Sequence, residues 1–201
     1  MTSYSKRQQA QFRKFMAWVK KEGGIEGPTH LATLFKPQQL KRMEWLKQNA
    51  IGFTLEVGCN FGAVLAYMGG HVGIDIAEMN IDLARLLSPD LKFEVGDAKA
   101  LPFADKTFQT VAIPETLEHL DFPAGVRLAI QEACRVAWDR VLITMPDGST
   151  DTEVATSFKH RFLLDEPTLA ELLQMFPQGG RTTVERIKEF VLIRHDLKEN
   201  A

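Results

Sequence analysis

Apolar residues recur along this chain at two different periods, and the change from one to the other falls near residue 50. Between residues 5 and 21, Phe12, Phe15, Met16 and Val19 lie at i, i+3, i+4 and i+7, while Lys6, Arg7, Arg13, Lys14, Lys20 and Lys21 take much of the remaining surface. That is the pattern of an amphipathic helix, and Gly23 and Gly24 end it. A second helix is expected from Pro37, a residue suited to the first helical position, to Asn49, turning Leu40, Met43 and Leu46 inward. From residue 51 short apolar runs alternate with helical stretches. Strands are expected over residues 52–57, 71–76, 91–95, 110–114 and 140–145, with helices over 61–68, 77–87 and 124–137. Beyond Pro146-Asp147-Gly148, residues 166–175 read as a helix, and 182–187 with 190–195 as a closing pair of strands. Alternation of this kind gives right-handed crossovers and a parallel sheet covered on both faces, an α/β fold. The last two strands have no long helix between them, so at least one must run antiparallel to the rest.

Length and composition fit one compact domain with a short appendage: 201 residues, 45% hydrophobic, 25% charged and 9% aromatic. Disorder, collagen and coiled coil are excluded as descriptions of the whole chain. The net charge of −2 hides a gradient, because the first 50 residues hold ten basic and three acidic side chains (+7) and the remainder sums to −9. Nothing global draws the protein to nucleic acid or an anionic membrane, although a local basic surface stays open. Two cysteines, Cys59 and Cys134, do not make a disulfide framework and are expected to be free thiols in a reducing compartment. No apolar run long enough to span a bilayer and no signal-like amino terminus is present. The expectation is a cytoplasmic protein without a membrane partner, a monomer or homodimer. No internal repeat of 20 to 50 residues is found.

Chemistry concentrates where the first strand meets the first helix, at Leu55-Glu56-Val57-Gly58-Cys59-Asn60-Phe61-Gly62. A glycine loop there lets main-chain N–H groups meet a ligand; taken alone, Gly58 and Gly62 could equally serve a tight turn and close packing. Two further signals follow in order. Asp75 ends the second strand, where an α/β nucleotide-binding fold places a carboxylate for ribose hydroxyls. Asp97-Ala98, after the third strand, offers a carboxylate and an N–H to the edge of adenine. The loop is not G-x-G-x-x-G, and an acid at Glu56 would repel a pyrophosphate, so a nicotinamide dehydrogenase fits poorly.

With these residues the chain resembles the class I S-adenosylmethionine-dependent methyltransferases, in particular the small group with a Leu-Pro-Phe loop after the third strand, here Leu101-Pro102-Phe103. The resemblance covers residues 51–148 well and extends more loosely to the end. It implies a Rossmann-like three-layer sandwich, a seven-stranded mostly parallel sheet closed by a C-terminal antiparallel strand, with residues 1–50 added as a helical cap on a 51–201 methyltransferase domain. It implies S-adenosyl-L-methionine as cofactor. Glu56 would be the acid at the tip of the first strand, and Gly58, Cys59, Asn60 and Gly62 the loop around the methionine part. Asp75 would hold the ribose diol with Ile76 against adenine, Asp97 and Ala98 would read the adenine edge, and Pro114 and Glu115 would border the methyl group. Two positions depart from the family pattern: Asn60 stands for its central glycine, at modest cost because Asn tolerates positive φ, and Gln109 stands for a frequent Asp.

Methyl transfer from a sulfonium is an in-line displacement in which positioning supplies much of the acceleration. Where the acceptor must lose a proton, His119, Glu118 and Glu115 are the candidate bases, against a purely structural role for His119 at the start of a helix. Glu115, Glu118 and His119, at i, i+3 and i+4, would share one face of a helical turn and could offer ligands to a divalent metal. Some quinone-pathway O-methyltransferases and small-RNA 2′-O-methyltransferases resemble this stretch and use it so. Capping and packing explain the same letters, and no metal is the simpler reading, with His160 the one distant imidazole. Residues 150–160 resemble a variable loop over the acceptor, where Phe158, His160, Arg161 and Phe162 would either line the pocket or, for the two phenylalanines, join the core. Cys59 reads as a small apolar filler, and Trp18 and Trp45 as packing. The function expected is methyl transfer to a small-molecule acceptor. The alternatives are a non-catalytic adenosyl-binding module and an RNA methyltransferase using the basic N-terminal helices, although no aromatic residues interleave with that basic face.

Overall fold

A computed structural model describes residues 37–149 and 160–197. The helix expected over residues 5–21, with Trp18, and most of the loop over 150–160, with Phe158, lie outside them. Along the described chain the elements are α1 (Pro37–Asn49), β1 (Thr54–Val57), α2 (Ala63–Met68), β2 (Val72–Asp75), α3 (Glu78–Leu87), β3 (Lys92–Val95), β4 (Phe108–Pro114), α4 (Ala124–Val136), β5 (Ala137–Pro146), α5 (Glu166–Leu173), β6 (Arg181–Ile187) and β7 (Phe190–Asp196).

The seven strands form one sheet in the order β3-β2-β1-β4-β5-β7-β6. Strands β1 to β5 are mutually parallel, and β7 runs antiparallel to both β5 and β6, as the missing crossover helix requires. Alternate residues of the strands feed two cores. Val111, Ile113, Val141 and Ile143 face one way, with Val126, Ile130 and Ala133 of α4. Ala112, Leu142 and Leu192 face the other, with Met43, Trp45 and Leu46 of α1, Leu65 of α2 and Ile81 of α3. Burial of both faces is what makes the strands read as continuous apolar runs. Trp45 is thus a core residue, and its indole N–H donates to Glu185 (3.0 Å). Helix α1 is packed into the body, on the same face as α2 and α3.

Several boundaries differ from the expected ones by up to three residues. β5 starts at Ala137 rather than Arg140, directly after α4, and β4 starts at Phe108, with an irregularity between Phe108 and Thr110. Ala137, Trp138 and Asp139 carry no strand alternation of their own; pairing with β4 on one edge places Ala137 in the sheet. Because β2 and β3 lie on one side of β1 and β4 on the other, the strand order reverses between β1 and β4. A crevice opens above the carboxyl ends of strands at such a switch point.

Candidate active site

Glu56 lies near the carboxyl end of β1 with Gly58 and Asn60 just past it, and Glu115 and Glu118 follow the end of β4, so all five belong to this switch point. Past Val57 the chain turns sharply, and Gly58 N–H and Cys59 N–H both donate to the Ile74 carbonyl (2.8 and 2.9 Å). Gly58, Asn60 and Gly62 all have positive φ, at 73°, 50° and 78°, so Asn60 adopts the left-handed conformation that asparagine tolerates. A Cβ on Gly58 would run into the Thr116 side chain, and one on Gly62 would lie 2.5 Å from the Phe93 ring. Both glycines are needed for closeness as well as for the turn. Cys59 is buried among apolar side chains, and its burial pushes the thiol well above its ordinary pKa, which leaves it unreactive.

The Asp75 carboxylate ties the loop to the end of β2, accepting from Asn60 N–H (2.8 Å), Ala77 N–H (2.9 Å) and Asn80 Nδ2 (3.3 Å). Next to it Ile76 is 71% exposed, a large apolar side chain held in solvent beside the crevice. Asp97 closes its own turn by accepting from Lys99 N–H (2.9 Å), and Ala98 packs against the core. The Leu-Pro-Phe loop that follows is clamped by a pair the sequence reading did not single out. Arg135 donates to the carbonyls of Leu101 (3.0 Å) and Phe103 (2.8 Å), while Glu132 accepts from Leu101 N–H (2.8 Å) and pairs with Arg135.

Four ionisable side chains, Arg42, Glu56, Glu115 and Glu118, influence one another at the switch point. Glu56 and Glu118 are buried, and each has one oxygen, Oε2, without a hydrogen-bond partner. Burial holds the Glu56 carboxyl well above the ordinary carboxylate range, with Arg42 and the Leu65 main chain pulling it partly back. Glu118 is also held well above that range, by burial and then by the neighbouring Glu115 charge. Glu115 is raised by burial and drawn back by Arg42 and by the Thr144 hydroxyl, which donates to its Oε1 (3.2 Å). Arg42, from α1, is itself buried and donates to Thr144 Oγ1 (3.2 Å). Sequence reasoning missed Arg42, yet it lies three and four positions before Trp45 and Leu46 on the buried stripe of its helix, which was the available signal.

The expectation that Glu115, Glu118 and His119 share one helical face is not met. Glu115 has φ of 48° and turns toward Thr144, and only a single 3₁₀ turn, Leu117–His119, follows. A different trio converges instead: ligand atoms of Glu118, His119 and His160 all lie within 4.8 Å of one another. The two imidazole rings meet edge to face at 5.1 Å, and Arg161 N–H donates to the Glu118 carbonyl (2.8 Å). Beside them a small pocket lies between Glu118, Met145, Asp147, His160 and Phe162. Arg161 pairs with Asp121 (3.1 Å), and Phe162 stacks obliquely on Phe122 and packs against the core.

The buried acid at the strand tip and the two tight positive-φ glycines lie within a stretch whose sequence matches a known family. Residues 55–139 match the family model described as a methyltransferase domain. The chain carries a class I S-adenosylmethionine-dependent methyltransferase domain. It is an enzyme, a methyltransferase, and its cofactor is S-adenosyl-L-methionine. No curated protein matches the chain by sequence. Solved structures share the methyltransferase's fold. They include an S-adenosylmethionine-dependent methyltransferase from Aquifex aeolicus (TM-score 0.66, 17% identity, 86% of this chain and 100% of that one). A second comes from Thermotoga maritima (0.65, 17%, 94% and 99%). A third is in the complex of the Haloferax volcanii Trm112 methyltransferase activator with a methyltransferase (0.67, 15%, 93% and 97%). Among the described residues no helix is long and apolar enough to cross a membrane.

Proposed function

We propose that this methyltransferase methylates a small-molecule acceptor bound between the β4 turn and His160, with residues 1–50 as a cap anchored by α1. The observation that carries the reading is the unpartnered, buried Glu56 Oε2 beside the glycine loop. A buried acceptor without a donor is costly unless a ligand supplies one, and the ammonium group of the cofactor's methionine part is such a donor. Gly58, Cys59, Asn60 and Gly62 surround that part. Asp75 takes the ribose diol: its two oxygens offer about four acceptor sites, and three are in use, so the longest bond, to Asn80, is the one that yields. Ile76 covers adenine, Asp97 and Ala98 meet its edge, and Pro114 and Glu115 border the methyl.

The cofactor supplies an electrophilic methyl on a sulfonium. The protein's part is alignment: the acceptor's lone pair forms the new bond to carbon while the carbon–sulfur pair returns to sulfur. His119, exposed next to His160, takes the proton where the acceptor is a hydroxyl or an ammonium.

Calorimetric titration with S-adenosylmethionine, its demethylated product and NAD is expected to show binding of the first two only. Asp75→Ala should weaken both by about tenfold or more. NAD binding without adenosyl binding, or an indifferent Asp75→Ala, would sink the residue assignment. RNA binding that falls steeply with salt would move the acceptor class to nucleic acid.

The convergence of Glu118, His119 and His160 favours a second reading, a divalent cation held by two imidazoles and a carboxylate. Titration with Mn2+ or Zn2+ tests it, with His160→Ala as control; no saturable binding removes it.

A further inference from the structure

We propose that Arg42 and Thr144 are positioning residues for Glu115, holding its carboxylate at the methyl-transfer end of the cofactor site. The inference rests on the reading that Glu115 borders the methyl group. It assigns a task in this enzyme to α1, which lies before the stretch that matches the methyltransferase family model.

Three independent features converge on Glu115. Its backbone has φ of 48°, a left-handed conformation that a residue with a long side chain keeps only where its surroundings impose it. Thr144 imposes it twice: the Glu115 N–H donates to the Thr144 carbonyl (2.9 Å), and the Thr144 hydroxyl donates to Glu115 Oε1 (3.2 Å). Thr144 is wholly buried in β5 with Ile143 and Met145 on either side, a place where a hydroxyl is retained only if it is hydrogen-bonded.

Arg42 closes the relay. Its guanidinium is 2% exposed, donates through Nη1 to Thr144 Oγ1 (3.2 Å) and through Nε to Gln39 (2.9 Å), and lies 5.5 Å from the Phe190 ring centroid. Arg42 can only donate, so Thr144 Oγ1 accepts from it, and the single hydroxyl proton goes to the Glu115 carboxylate, which as an ion can only accept. Link by link, a helix packed on one face of the sheet fixes which way a carboxylate just past the end of β4 points.

The two ligands of the cofactor site separate this role from bulk stabilisation. S-adenosylmethionine carries a sulfonium and the demethylated product a neutral thioether, while their amino and carboxyl groups are the same. A correctly aimed Glu115 therefore favours the former over the latter. Loss of a positive charge at Arg42, acting directly, would raise that preference; loss of aim lowers it, and Thr144→Val changes no charge at all.

Calorimetric affinities for both ligands are to be measured on the full chain and on Glu115→Gln, Arg42→Met, Arg42→Lys, Thr144→Val and the doubles of Glu115→Gln with Arg42→Met and with Thr144→Val. The preference for S-adenosylmethionine should fall at least about fivefold in Glu115→Gln, and comparably in Arg42→Met and Thr144→Val. The doubles should show no further fall, and Arg42→Lys should recover part of the preference. If Glu115→Gln lowers the preference while Thr144→Val and both Arg42 variants leave it unchanged, the positioning role is overturned and the reading of Glu115 survives. Equal weakening of both ligands by the Arg42 or Thr144 variants, additive with Glu115→Gln, also overturns the positioning role. An unchanged preference in Glu115→Gln overturns both.

Discussion

In the proposed role, Glu56 serves a ligand at the expense of the fold. Its carboxyl is raised well above the ordinary range because it is buried, so between the unfolded and the folded pKa the folded protein binds more protons there than the unfolded chain. A group of this kind lowers stability as pH rises from its unfolded pKa through its folded one. Glu56→Gln removes that dependence. Its thermal midpoint in the absence of ligand should exceed the wild type's at neutral pH, and the difference should shrink toward the ordinary carboxylate range, as read by melting curves across pH. The same substitution deletes the charge-assisted acceptor proposed for the cofactor's ammonium, so affinity for S-adenosylmethionine should fall about tenfold or more by calorimetry. Asn60 is a second residue where the sequence carried the outcome, since its tolerance of positive φ was readable and its φ is 50°. Asn60→Val should cost about 1–2 kcal/mol in denaturant unfolding and Asn60→Gly very little.

At the level of elements, strands and helices were legible wherever the apolar pattern and a turn signal coincided, as at α1, whose Pro37–Asn49 bounds match the expectation. They were not legible where tertiary pairing overrides local preference, as at the start of β5. The turn after β4 failed for another reason. The spacing of Glu115, Glu118 and His119 assumes helical backbone from 115 onward, but the positive φ of Glu115 breaks it and leaves only one 3₁₀ turn. His160 was visible as an isolated imidazole; that it meets His119 depends on a long-range contact no spacing encodes. The Leu-Pro-Phe loop was legible as a motif, yet its clamp sits on α4, about thirty residues on. Arg135→Met should release that loop. We expect a loss of about 1.5–3 kcal/mol in denaturant unfolding and a weaker affinity for adenosine-containing ligands generally, with no change in preference between S-adenosylmethionine and its product.

Over the whole molecule, the charge division between the first 50 residues and the rest does not coincide with a division of the fold. Part of the basic segment is α1, whose Met43, Trp45 and Leu46 are core residues shared with α2, α3 and the sheet, and whose Arg42 reaches the crevice. Cutting the chain at two points therefore tests two different things. Removal of residues 1–22 takes away six basic side chains and leaves α1 in place; affinity for S-adenosylmethionine should be nearly unchanged, and acceptor turnover, once an acceptor is in hand, should suffer more than cofactor binding. Removal through Asn49 strips three large side chains from one core face at about 1.5–3 kcal/mol each, comparable in sum with the stability of a typical domain. That chain should fail to give a cooperative melt and should expose apolar surface to a hydrophobic dye. A cooperative melt with intact cofactor binding after the longer deletion would mean that α1 is dispensable to the methyltransferase body, and that the crevice organises its carboxylates without Arg42.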